Sequence, residues 1–209
     1  MTRVKICGIT SVEDALWAAE SGADAIGLIF AESPRKIGIE KAREIAAALP
    51  PFITPVGLFV DAPLEDVRRV AADVGLDAVQ IHGDFPPQSA LALRGAGVKV
   101  IRAVSVASRA DIEPIRDYPA DAFLLDTKVE GLHGGTGKTF DWSIAEEAKK
   151  LGRIILAGGL GPDNVAEAIR RVRPYAVDAS SRLESSPGKK DRAVVRRFIE
   201  AARSAGVDT

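Results

Sequence analysis

Four side chains able to carry a proton or a charge stand at the ends of short apolar runs. Cys7 follows Val4-Lys5-Ile6, His82 follows Val79-Gln80-Ile81, Asp126 follows Phe123-Leu124-Leu125, and Asp178 follows Ala176-Val177. Thiols, imidazoles and carboxylates are the groups from which general acids and bases are made. A thiol works through its thiolate, and a reference pKa of about 8.5 leaves only a small fraction ionised at neutral pH. Lys5 lies two residues before Cys7, so its ammonium is expected to favour the thiolate; a Lys5→Met change that left the pH–rate profile unmoved would exclude this. Taken singly, each residue has a plainer reading. A free cysteine is usually a small inert core residue, and an aspartate at a strand end is usually a turn former or helix cap.

What sets these residues apart is the recurring element that holds them. Strands are expected at Arg3–Ile9, Asp24–Phe30, Pro55–Val60, Asp77–His82, Lys99–Val104, Asp121–Asp126, Arg153–Ala157 and Tyr175–Ala179. Between them run helix-length stretches with apolar residues three and four apart, such as Leu64, Val67, Val70, Ala71 and Val74. Ser11 with an acidic residue at Asp14 resembles a capping box, and Gly22, Gly75, Gly97 and Gly152 fall where helices should end. Alternating strands and helices imply a parallel sheet with right-handed crossovers. Eight even units filling the chain favour closure into a (β/α)8 TIM barrel, α/β in class and a single domain over residues 1–209. No GxGxxG follows the first strand, which weakens an open dinucleotide-binding sheet.

In such a barrel one parity of each strand faces the helices and the other faces the interior. Val4 and Ile6, Val79 and Ile81, Phe123 and Leu125, Val177 and Ala179 form the apolar, helix-facing set. The opposite parity delivers Lys5 and Cys7, Gln80 and His82, Leu124 and Asp126, Asp178 and Ser180. Active sites of this fold sit at the C-terminal ends of the strands, so Cys7, His82, Asp126 and Asp178 are expected around one pocket mouth.

Composition limits the partners. The 209 residues are 46% hydrophobic and 27% charged, with a net charge of −1. That balance offers no general attraction to nucleic acid or to an anionic membrane, so an anionic ligand must be held locally. One cysteine allows no internal disulfide, and no stretch reads as a signal peptide or membrane span; a cytoplasmic setting is the simplest expectation. With two histidines, one cysteine and no tight cluster, neither a metal nor a cofactor is expected.

Several motifs, in order, resemble those of the phosphoribosylanthranilate isomerase family. They are Lys5-Ile6-Cys7-Gly8-Ile9-Thr10, Gln80-Ile81-His82-Gly83, Leu125-Asp126-Thr127-Lys128, the run Gly134 to Trp142, Ala157-Gly158-Gly159-Leu160 and Val177-Asp178-Ala179-Ser180-Ser181. The resemblance implies an Amadori rearrangement of N-(5-phosphoribosyl)anthranilate in tryptophan biosynthesis. It implies Cys7 as general base, Asp126 as general acid at the ring oxygen, and Arg35 on the anthranilate carboxylate, with Gln80, His82 and Asp178 as further substrate-binding residues. An acid working near neutrality is helped by a raised pKa, through burial or a neighbouring carboxylate. Asp178 could supply that charge, or could instead bond a substrate hydroxyl. Phosphate is expected at the seventh and eighth strand–helix junctions, on Gly158, Gly159, Ser180 and Ser181. A homodimer is possible.

One position departs from the expected pattern. Where the family is expected to read Ser-Ser-Gly-Val-Glu, this chain reads Ser180-Ser181-Arg182-Leu183-Glu184. If the glycine used a positive φ, arginine would strain the loop; otherwise Arg182 points outward or lends charge to the phosphate.

Other signals weigh less. Gly137-Lys138-Thr139 invites a P-loop reading, but the glycine needed five places earlier is Leu132. Lys128 to Gly137 reads instead as a loop able to cover the site, with His133 in solvent. Trp17 and Trp142 read as packing residues. The aldose–ketose isomerase of histidine biosynthesis is the nearest rival, expected to carry a carboxylate where Cys7 stands. A non-catalytic phosphosugar-binding barrel would have no need of both Cys7 and Asp126.

Overall fold

The computed structural model describes residues 1–127 and 140–205. Eight parallel strands close in sequence order into one barrel. They are β1 Arg3–Cys7, β2 Ala25–Ile29, β3 Thr54–Val60, β4 Ala78–His82, β5 Lys99–Val106, β6 Ala122–Thr127, β7 Ile154–Leu156 and β8 Ala176–Ala179. Expected boundaries differ by a few residues at the ends. The first strand stops at Cys7 rather than Ile9 because Gly8, at φ +74°, turns the chain off the ladder. Closure is made by β1 against β8, with Lys5 opposite Asp178, while Cys7 lies opposite Gly27 on β2.

Helices α1 Val12–Glu20, α2 Ile39–Ala48, α3 Leu64–Val74, α4 Pro87–Gly95, α5 Trp142–Ala148, α6 Val165–Val172 and α7 Arg192–Ser204 cover the outside. The fifth crossover differs: a 3₁₀ helix, Arg109–Ile115, replaces an α-helix and contains Pro114, which cannot donate its backbone bond. Ser11 caps α1 as expected, its Oγ accepting from the Asp14 N–H at 3.1 Å. The return half of the box is absent. Asp14 accepts instead from the Lys190 N–H at 3.1 Å, tying α1 to the short hairpin β9 Glu184–Ser186 and β10 Lys189–Lys190.

The parity reading holds in the packing. Val4, Ile6, Val79, Ile81, Phe123, Leu125, Val177 and Ala179 belong to the large strand–helix core. A second, smaller apolar cluster fills the barrel, with Val56, Ala78, Ile101, Ala122, Leu124 and Ile155 among its members. Among the described residues no helix is long and apolar enough to cross a membrane. The run Lys128 to Thr139, with its expected covering loop, lies outside the described residues.

Candidate active site

Inside the barrel, just below its C-terminal mouth, lies a buried charged layer. Lys5 Nζ donates to Asp178 Oδ1 at 2.9 Å and to Gln80 Oε1 at 3.0 Å. All three residues are buried. Desolvation alone would drive a lysine neutral, but the Asp178 carboxylate and then Cys7 hold the Lys5 pKa above its ordinary value. Gln80 is thus seated a layer beneath the mouth, with its amide oxygen committed to Lys5.

Cys7 ends β1 directly above Lys5 and is 5% exposed. Its thiol fits only because β2 carries Gly27 beside it; a Cβ there would lie 2.7 Å from Sγ. Burial pushes the thiol pKa up, while Lys5 and, further off, Lys190 pull it down. The expected help from Lys5 is therefore present but smaller than the cost of burial.

Asp126 points inward from β6, its Oδ1 accepting from the Thr127 N–H at 2.8 Å. Its pKa is raised to about 6. Burial is the main cause, opposed by the Thr127 N–H, with the Asp178 charge a smaller addition. Lys5, bonded to Asp178, offsets part of that like-charge pressure.

Asp126 and Asp178 share one small cavity with Gly158, Gly159, Ser180 and Ser181. Six residues expected at the site thus line the same space. His82, at the end of β4, lies to one side with Nε2 3.1 Å from Ser105 Oγ. It lines a cavity with Ser105, Arg102 and Tyr118 rather than the one shared by Asp126 and Asp178. Arg35 crosses above Gly8, close enough that a Cβ there would lie 2.5 Å from Arg35 Cδ and 2.8 Å from Ser180 Oγ.

Arg35 is already half engaged. Its Nε and Nη2 donate to Glu184 Oε1 and Oε2, both at 2.8 Å. Lys190 Nζ donates to the same Glu184 Oε1 at 2.8 Å and to the Ser180 carbonyl at 3.2 Å. Burial opposes ionisation of Glu184, yet the bonds from Arg35 and Lys190 hold its pKa below the usual carboxylate range. Two cations against one carboxylate leave a single positive charge beside the mouth. Lys190 carried no recognisable signal as a site residue in the sequence, and Glu184 entered only as the last residue of the Ser180–Glu184 run. Lys190 comes into place only through the hairpin folding back on α1.

A family description, N-(5'-phosphoribosyl)anthranilate (PRA) isomerase, matches residues 4–201 of this chain. The chain belongs to the phosphoribosylanthranilate isomerase family. The N-(5'-phosphoribosyl)anthranilate isomerase of Rubrobacter xylanophilus is 53% identical over 206 residues, which cover 98% of this chain and all of that protein. The isomerase of Thermotoga maritima superposes with a TM-score of 0.91 at 47% identity, covering 98% of this chain and all of that one. A phosphoribosylanthranilate isomerase solved with reduced 1-(o-carboxyphenylamino)-1-deoxyribulose 5-phosphate gives a TM-score of 0.88 at 44% identity, again covering 98% and 100%. So does a structure of monomers generated from the dimeric Thermotoga isomerase, at 42% identity, with 98% and 100% covered. The family's activity, the aldose–ketose isomerisation of phosphoribosylanthranilate in tryptophan biosynthesis, is accordingly the activity of this chain.

Proposed function

We propose that Asp126 and Cys7 are the acid and base of this isomerisation. Asp126, carrying its proton, gives it to the furanose ring oxygen. The bond from C1 to that oxygen breaks as the nitrogen lone pair forms C1=N. The resulting cationic imine acidifies the C2 hydrogen, which the Cys7 thiolate removes. The released electron pair forms C1=C2 and neutralises the nitrogen. Tautomerisation then moves the C2 hydroxyl proton to C1 as the ketone forms; the proton on Cys7 is returned to Asp126 by way of solvent, so substrate and enzyme both balance.

The observation that supports this reading is a shared setting. The buried thiol of Cys7 and the raised carboxyl of Asp126 stand at one end of the barrel, under the field of one Lys5–Asp178 pair. Around them, the remaining positive charge of the Arg35–Glu184–Lys190 cluster suits the anthranilate carboxylate. Glu184 occupies the Nε side of Arg35, leaving the end-on edge, one N–H from each Nη, for a second planar carboxylate. Gly158, Gly159, Ser180 and Ser181 form a phosphate cradle, while His82 and Asp178 border the sugar. Gln80 acts through Lys5.

Fluorescence of phosphoribosylanthranilate generated in situ tests the assignment, comparing wild type with Cys7→Ser and Asp126→Asn. Each substitution should lower kcat at least about a hundredfold. Wild-type turnover that survives both substitutions would remove this acid–base pair.

The same reading includes a homodimer, as in the dimeric Thermotoga relative. Phe52, in the loop between α2 and β3, is 99% exposed and held at φ +78°. It stands over a cavity of about 560 Å³ at the N-terminal end of the strands, lined also by Thr54, Ile101 and Ile155. An aromatic side chain presented in this way fits insertion into a second copy. Sedimentation should give a dimer for wild type and a monomer for Phe52→Glu; a wild-type monomer would end this part of the reading. A reduced Cys7, which the chemistry needs, is in keeping with the expected cytoplasmic setting.

A further inference from the structure

We propose that Arg182 is a positioning residue of the phosphate cradle, an inference that rests on the cradle described above. Arg182 lies in a 3₁₀ turn, Ser181–Leu183, at the start of the eighth strand–helix loop. Its backbone is not among the positive-φ positions, so replacing the expected glycine leaves no strain in the described turn. Its side chain reaches across to the seventh loop. Nη1 donates to the Gly159 carbonyl at 2.9 Å, and Nη2 donates to Asp163 Oδ1 at 2.8 Å. The guanidinium lies over Gly161, where a Cβ would come within 2.9 Å of Cζ and 3.1 Å of Nε.

The Gly159 carbonyl is therefore held twice, by Arg182 and by Asn164 Nδ2 at 3.0 Å. Asn164 Oδ1 in turn accepts from the Gly161 N–H at 2.8 Å. A peptide unit is planar and trans, so fixing this carbonyl turns the Leu160 N–H of the same unit in the opposite direction. Neither that N–H nor the Ser180 N–H has a backbone acceptor among the described residues. Leu160, Gly159, Ser180 and Arg182 line the same cavity. Arg182 thus ties the two loops of the cradle together and orients donors for a phosphoryl oxygen. Asp163 already matches its charge, so the fork geometry of the guanidinium carries the effect.

That distinction makes the inference testable. Wild type, Arg182→Ala, Arg182→Lys and Gly161→Ala would be compared for kcat, KM and competitive inhibition by inorganic phosphate. Gly161→Ala displaces the guanidinium together with its Asp163 partner, while keeping the arginine. All three variants should raise KM and the phosphate inhibition constant about tenfold, with kcat within about twofold of wild type. Melting curves check that each variant is folded. Wild-type constants in Arg182→Lys would show that charge alone suffices and overturn the positioning role. Equal phosphate inhibition in wild type and all variants would overturn it while leaving the cradle standing. If phosphate fails to compete even in wild type, the cradle reading falls and Arg182 with it.

Discussion

Asp126 shows how the acid role proposed for it and stability oppose each other in one side chain. Its carboxyl is raised from the ordinary aspartate value to about 6 by burial. The folded protein therefore holds this proton more tightly than the unfolded chain, and stability is lost as pH rises through the window from about 4 to about 6. Above that window the buried charge costs up to about 3 kcal/mol. Asparagine keeps a neutral acceptor for the Thr127 N–H and removes the ionisation. Asp126→Asn should therefore melt above wild type at about pH 7.5, with the advantage vanishing near pH 4. Equal melting temperatures at both pH values would mean that the ionised Asp126 carries no penalty. Lys5 works in the other direction. It is buried, yet bonded to both Asp178 and Gln80, and it lowers the cost of a thiolate at Cys7.

At the scale of elements, the site depends on what β2 leaves out. Cys7 and Gly27 are register partners, and a methyl group on Gly27 would meet both Sγ and the Cys7 backbone, at 2.7 and 3.0 Å. Gly27→Ala should destabilise the fold by about 1–3 kcal/mol, the usual cost of overpacking. It should also lower kcat more than it raises KM, because the thiol moves while the contacts proposed for the carboxylate and phosphate stay. Denaturant melts and steady-state kinetics on the same preparation measure both effects. A variant with unchanged kcat would show that the thiol position is not critical. The hairpin β9–β10 contributes the reverse kind of element, one that adds side chains. It brings Lys190 onto Glu184 and so fixes the arginine expected to meet the substrate carboxylate.

The whole barrel separates stability from chemistry by end. At the N-terminal end Arg203 of α7 donates to the Thr2 carbonyl at 3.0 Å, the Gly22 carbonyl at 2.7 Å and Asp24 Oδ2 at 2.8 Å. Asp24 Oδ2 also accepts from the Val4 N–H at 2.7 Å, so the last helix is bound to the first two strands where the barrel closes. Arg203→Ala should cost about 2 kcal/mol of stability, read as a lower urea midpoint, while kcat/KM stays within about twofold of wild type. Loss of activity in a folded Arg203→Ala protein would show that the two ends are coupled.

The sequence by itself determined the barrel, the inward parity and the identity of most residues at the mouth. Strand alternation has a period of two, and eight alternating units leave few ways to bury an apolar face. Those signals are local, so they survive in one dimension. It also marked Cys7, Asp126 and the Gly158–Gly159 and Ser180–Ser181 pairs, which stand at predictable strand ends. Which charge answers which was decided only by the tertiary structure. Lys5 meets Asp178 where the first and last strands close and Gln80 across the barrel, Glu184 takes one edge of Arg35, and Arg182 bridges two loops. Such pairings join residues far apart in the chain, and the reach of a long side chain is set by burial and neighbours rather than by spacing. The 3₁₀ crossover at Arg109–Ile115 was hidden for a related reason, since its apolar residues pack like those of a short helix. Burial also fixed the balance at Cys7, where desolvation outweighs the ammonium that the sequence placed two residues away.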